Sequence, residues 1–334
     1  MNARRAAALL EVLGVSVVGP LLMFELRRLV GISVTNPLNS LSAHVTNAEL
    51  ITGSRQMFVL LMFQYAGYFL LIFPINWWYR RRGAAAYGLT RGVHSWKMLL
   101  LAGLGAAAWS TWPALSVSLV NSLHPSETAP WRQALFDMSW RRWEFWLFSG
   151  VMSWALIPLL EELFYRGYCL RRLAEDWGDG PAIIGSACLF TFAHTQYLVP
   201  NAYSAGMIAS LLTFAIGFGV VFAWTRSLIP SIIAHAIINV VMTPPWQGAL
   251  LVAFVIGMFI TWRRGVAMIR QVFSNASAAA CAALAVVGAG YAIMAARDEP
   301  LVYVAAAGAV VLAVGLEAMD RRRNRHVTET LISA

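Results

Sequence analysis

Charge is scarce in this chain. Of its 334 residues only 12% are charged and 59% are hydrophobic, whereas soluble domains carry roughly 25% charged residues. A water-soluble globular domain is thereby excluded. Cysteine is limited to Cys169, Cys188 and Cys281, an odd number without paired spacing, which fits neither a disulfide framework nor a zinc knuckle. Long polar stretches are lacking as well. The longest, residues 27–55 and 121–143, are too short for a separate globular domain. No G-x-S-x-G elbow and no H-E-x-x-H helix occurs, so two common hydrolase signatures are missing. Lysine is nearly absent, with Lys97 alone against 24 arginines, a bias that suggests a GC-rich, bacterial genome.

What the chain has in abundance is apolar length. Runs of about 18 to 24 residues recur, and about 20 helical residues cross a hydrocarbon core. About ten spans are expected, near residues 6–24, 56–78, 98–120, 144–170, 181–199, 203–224, 228–243, 246–262, 276–296 and 300–319. The fold class is therefore all-α, a polytopic transmembrane helical bundle. Its single membrane body divides into N-terminal helices and an outer loop over 1–143, a core over 144–245, and accessory helices with a basic tail over 246–334. The first run follows Arg4 and Arg5 like a signal peptide. It holds Glu11 and Pro20, ends at Arg27 and Arg28, and lacks a small-residue cleavage site, so it reads as a retained signal anchor.

The net charge of +9 does not point to nucleic acid, because the basic residues lie in short clusters between apolar runs. With ten spans and both termini inside, the inner segments hold 18 Arg and Lys residues and the outer segments 7, as the positive-inside rule requires. The chain is thus expected in a bacterial inner membrane with both termini cytoplasmic. Trp131, Trp140, Trp143 and Trp146 stand among arginines, a mixture suited to the outer headgroup zone.

Ionisable residues deep in lipid cost about 2.5 to 3.5 kcal/mol on insertion scales and are functional candidates by default. Here they fall into three groups. In the fourth span Glu161 and Glu162 project on adjoining faces, and Glu162 and Arg166 are four apart, positioned to form an ion pair. His194 follows Phe190 by four residues in the fifth span, and His235 precedes Asn239 by four in the seventh. Each group alone is also explained by a helix end or a polar packing seam. Their depths agree, however: Glu161 lies roughly 18 Å from its inner helix end, His194 roughly 20 Å and Asn239 roughly 17 Å, at about 1.5 Å per residue. Together they supply a carboxylate and imidazoles to activate water and donors for an oxyanion. Two histidines and a glutamate (Glu161, His194 and His235) could equally hold zinc.

These motifs, two glutamates with an arginine four after the second, Phe then His four later, and His then Asn four later, resemble those of the CPBP family of CAAX proteases and bacteriocin-processing enzymes. The resemblance covers about residues 145–243. It implies an all-helical intramembrane endopeptidase acting on a membrane-associated protein or peptide, with CAAX-type C-terminal processing as one form of that activity. It also implies that Glu161 and His194 activate water and that His235 and Asn239 support the oxyanion, which leaves Glu162 and Arg166 structural or orienting. No cofactor is expected, although zinc remains open, and the lipid bilayer is the other partner. The alternatives are a non-catalytic peptide-binding or bacteriocin-immunity protein and a proton-coupled transporter. The polar set is not repeated elsewhere in the chain, which weighs against transport.

Overall fold

The computed structural model describes residues 3–31, 47–79, 83–123, 143, 146–241 and 247–295, with scattered positions between 302 and 319. Arg80, Arg81, Arg82, Trp131, Trp140 and the basic tail lie outside the described residues. Among the described residues the chain is helical throughout, with no strand. It is a helical bundle, as the apolar runs require, since helices satisfy their own backbone hydrogen bonds where water is absent.

Helix α1 (Ala3–Leu29) packs along α2 (Asn47–Phe73), and α3 (Trp96–Leu123) follows. Residues 146–177 form one continuous helix, α4. Then come α5 (Asp179–Phe192), α6 (Ala202–Thr225), α7 (Ile229–Val241), α8 (Gln247–Phe273) and α9 (Ala278–Ala295). Helix α3 lies against α6, α7 and α8, and α5 is held between α4, α6 and α9. The core centres on α4 and α5, where Phe164 stacks on Tyr68 with ring centroids 3.8 Å apart.

Four described helical stretches are long and apolar enough to cross a membrane: Ala3–Leu29, Phe58–Trp77, Ala202–Thr225 and Ala278–Ala295. One of the expected spans is shorter than the sequence suggests. Helix α5 has 14 residues, or roughly 20 Å at 1.5 Å per residue, well short of the roughly 30 Å core. Pro181 sits in the first turn of α5, where its missing N–H costs nothing. Gly178, with φ +83°, makes the turn between α4 and α5. At the far end of α5 the chain leaves the helix after Phe192 and resumes only at α6. There the Asn201 side chain accepts a 2.7 Å hydrogen bond from the Ser204 N–H as an N-cap.

One end of the bundle gathers charge. Arg5 donates to the Asp176 carbonyl at 3.0 Å, Arg226 reaches Asp179 at 2.6 Å, and Arg171 donates to the Ala85 carbonyl at 2.9 Å. Just inside it, Glu11 of α1 is buried and accepts from Tyr168 at 2.7 Å and Arg172 at 2.9 Å. These bonds fix α1 antiparallel to α4. Farther along, the backbones of Gly19 and Gly67 meet so closely that a Cβ on either would collide with the other, the close approach that small residues permit between membrane helices.

Candidate active site

Helix α4 is not a uniform α-helix. Its residues Trp146–Leu156 and Leu163–Leu170 are π-helical, and the six-residue α-helical stretch Ile157–Glu162 lies between them. Pro158 supplies a local cause for the first stretch, because its ring removes one backbone donor and displaces the carbonyl four residues back. Wide π turns of this kind redirect side chains and concentrate at functional sites. Both glutamates occupy the last turn of the α-helical stretch.

Glu162 is wholly buried, with 0% of its surface exposed, and Arg166 is 1% exposed. Arg166 Nη1 donates to Glu162 Oε1 at 3.0 Å, and Nη2 donates to the Ala215 carbonyl at 3.2 Å. The guanidinium also lies over the Phe190 ring at 4.8 Å and the Phe218 ring at 5.6 Å. Desolvating such a pair is costly, so these extra contacts matter. Removing one partner of a buried pair leaves the other uncompensated, at about 3–5 kcal/mol.

His235, 6% exposed, bridges the two carboxylates. Its Nδ1 is 2.9 Å from Glu162 Oε1 and its Nε2 is 3.7 Å from Glu161 Oε2. Glu162 is held as a carboxylate acceptor by Arg166, so Nδ1 donates to it, and Nε2 is the ring nitrogen turned toward Glu161. The ring is clamped by Phe218, stacked at 5.5 Å, and by the edge of Phe190 at 6.2 Å. Glu161, 8% exposed, receives a 3.0 Å hydrogen bond on Oε1 from the Tyr65 hydroxyl of α2. That bond leaves Oε2 directed at His235.

The structure therefore brings Glu161, Glu162, Arg166 and His235 into one bonded group. Asn239 is tied to the same helix from α7, its Nδ2 donating to the Ser153 carbonyl at 2.7 Å. His194 stands apart. It falls just past the end of α5, partly exposed, with Nδ1 donating to the Phe190 carbonyl at 2.8 Å and the ring beside Phe190 at 4.8 Å. No hydrogen bond or ion pair links it to either glutamate among the described residues. Its Nε2 is the ring nitrogen left as an acceptor.

The donor set that zinc would need is not gathered. Among the described residues no three His, Cys, Asp or Glu residues are close enough to share an ion, so Glu161, His194 and His235 do not form a ligand sphere in this arrangement.

Tyr65 was not legible as a site residue in sequence. It is one of several aromatics in an apolar run, and its partner is 96 residues away. Ser153 contributes through its backbone carbonyl, which carries no side-chain signal at all. The pairing of Glu11 with Arg172 is hidden in the same way, across 161 residues.

Residues 142–241, less than a third of the chain, match the family model of type II CAAX prenyl endopeptidases, Rce1-like. This match accords with the CPBP-type protease motifs and contains all six residues of the proposed centre. No curated protein and no solved structure matches the chain. With its four long apolar helices, the protein is an integral membrane protein, and residues 142–241 are similar to a family of membrane proteases.

Proposed function

We propose that the protein is an intramembrane endopeptidase that hydrolyses a peptide bond in a membrane-associated protein or peptide, with Glu161 as general base. The observation that carries this reading is that Glu161 Oε2 and His235 Nε2 face each other across 3.7 Å. A water oxygen within hydrogen-bond distance of both would donate one proton to each and be polarised as a nucleophile. Glu161 takes the proton as water attacks the carbonyl carbon, and hands it to the leaving amine. Tyr65 keeps Glu161 in place, and Glu162 with Arg166 keeps the His235 ring turned.

His194, its Nδ1–H committed to Phe190, offers Nε2 as a second acceptor when a peptide fills the end of α5. Asn239, held by Ser153, supplies a donor for the developing oxyanion. We assign no step to a metal, because Tyr65 and Glu162 already orient Glu161 and His235 for a shared water. The protein lies in a bacterial inner membrane with both termini cytoplasmic. Supporting that orientation, Arg5, Arg171, Arg172 and Arg226 share the end of the bundle expected inside.

The test compares wild-type protein with Glu161→Gln on membrane-anchored and prenylated peptides, read by mass spectrometry with and without a zinc chelator. Cleavage should vanish in the variant and survive the chelator. Equal cleavage by both proteins removes Glu161 from the mechanism, and loss with chelator returns zinc to it.

A further inference from the structure

A cavity of about 410 Å³ opens at the charged end of the bundle, where the end of α4, the start of α5, the end of α6 and the turn after α8 converge. Trp177, Asp179, Trp224, Arg226, Gln271 and Asn275 line it. Asp179 opens α5 and His194 follows its far end, roughly 20 Å away at about 1.5 Å per residue. The cavity is therefore separate from the proposed catalytic centre.

Two opposite charges stand side by side on its wall. Arg226 Nη1 and Nη2 donate to Asp179 Oδ1 and Oδ2 at 2.9 and 2.6 Å. This pairing spends two of the five N–H donors of the guanidinium. The Nε–H and the remaining terminal hydrogens are left for oxygens of a phosphate, which the planar fork matches. Each Asp179 oxygen likewise keeps a lone pair for a further donor. The side chains are 63% and 26% exposed, so a ligand reaches both without unpacking a helix. Arg226 also sits at φ +55°, the one non-glycine with a positive φ among the described residues. That position caps α6, where glycine or asparagine is the unstrained choice, so the turn itself does not call for arginine.

We propose that this cavity binds the headgroup of a membrane phospholipid carrying both a phosphate and a primary ammonium, the phosphate on Arg226 and the ammonium on Asp179. Lipid is favoured over a soluble phosphate ester by the place of the cavity. Helix α6 is long and apolar enough to cross the membrane, and Arg226 directly follows its last residue, at the level where hydrocarbon gives way to headgroups. Trp177 and Trp224 bring to that level the indoles that prefer it. An anionic headgroup without an ammonium leaves Asp179 facing a phosphate, and a quaternary ammonium has no N–H to donate. Gln271 and Asn275 add carboxamides from α8 and the turn after it, so a bound headgroup ties α8 to α5 and α6. The site stands independently of the peptidase reading.

The test places the full chain in phosphatidylcholine nanodiscs doped equally with phosphatidylethanolamine and phosphatidylglycerol. Native mass spectrometry then counts the lipids that stay bound. Relative to its share of the bilayer, phosphatidylethanolamine should be retained about tenfold over each of the others, the scale of a hydrogen-bonded charge. Arg226→Gln should abolish this enrichment. Asp179→Asn should turn the preference toward phosphatidylglycerol, a reversal that a merely loosened protein does not produce. No enrichment by the wild type, enrichment that survives Arg226→Gln, or an unchanged order in Asp179→Asn overturns the proposal. Glycerophosphoethanolamine, the same headgroup without acyl chains, is added as a competitor and should displace the lipid only in large excess. If it binds as tightly as the lipid, the site takes a soluble phosphate ester and the lipid assignment falls. None of these outcomes requires hydrolysis, so this proposal and the peptidase reading fail separately.

Discussion

Glu162 and His235 share a buried 2.9 Å hydrogen bond although 73 residues separate them in sequence. The bond decides which ring nitrogen faces Glu161. It also makes Glu162 an acceptor for two partners through one oxygen, since Arg166 reaches the same Oε1. In the proposed mechanism, the glutamate that does not touch the reacting water therefore sets the chemistry of the histidine that does.

Glu162→Ala is expected to destabilise the protein by about 3–5 kcal/mol, because Arg166 is left buried without its carboxylate. Glu162→Gln keeps an acceptor oxygen and should cost less. Replacing both partners with apolar residues, Glu162→Leu with Arg166→Met, should recover much of the loss. Thermal unfolding in detergent measures all three. A double variant as unstable as Glu162→Ala would show that the ion pair is not the main cost.

His235→Ala should lower kcat by about a hundredfold or more, the usual scale for a lost acid–base group. His194→Ala should lower it less, since that ring has no bond to either glutamate. Single-turnover rates on one cleavable peptide decide the order. A reversed order would make His194 the principal imidazole and would require the end of α5 to move onto Glu161.

Tyr65→Phe removes only a hydroxyl that donates to Glu161 Oε1. A hydrogen bond to a charged group contributes about 1.5–3 kcal/mol, so kcat should fall by about ten- to hundredfold. KM and the thermal midpoint should stay near wild type. A rise in KM with kcat unchanged would instead place Tyr65 in substrate binding.

Glu11→Leu takes away the acceptor used by both Tyr168 and Arg172. Arg172 keeps Glu175 and Asp176 as partners at 3.4 and 2.8 Å, which limits the loss to about 1–3 kcal/mol. Protease cleavage within α1 should become faster while α5 and α6 stay protected. Uniform sensitivity across the helices would mean that Glu11 supports the whole bundle rather than the seating of α1.

The helical class and the polar triplets were legible because both rest on local spacing. Apolar length announces a membrane helix, and the four-residue step from Glu162 to Arg166 announces an ion pair that the structure forms at 3.0 Å. Helix ends were less legible. The apolar run after Pro181 continues past Phe192 without a charged stop signal, yet α5 ends there and His194 falls beyond the helix instead of within a span. Contacts between distant segments were hidden altogether. Nothing in the α2 sequence distinguishes Tyr65 from Tyr68, and only packing against α4 separates a residue that bonds Glu161 from one that stacks on Phe164.

The early end of α5 leaves one side of the centre exposed. Beyond Phe192 the chain runs without regular α-helix to Asn201, and Thr195, Gln196, Leu198, Val199 and Pro200 are exposed. Backbone groups outside a helix need partners, which lipid does not provide and water does. The segment leaves the His194 ring partly exposed, with the Phe190 ring 4.8 Å from it and Tyr165 edge-on to Phe190 on the inner side. On the proposed reading, the water for hydrolysis would reach the centre from this exposed side, ahead of any substrate.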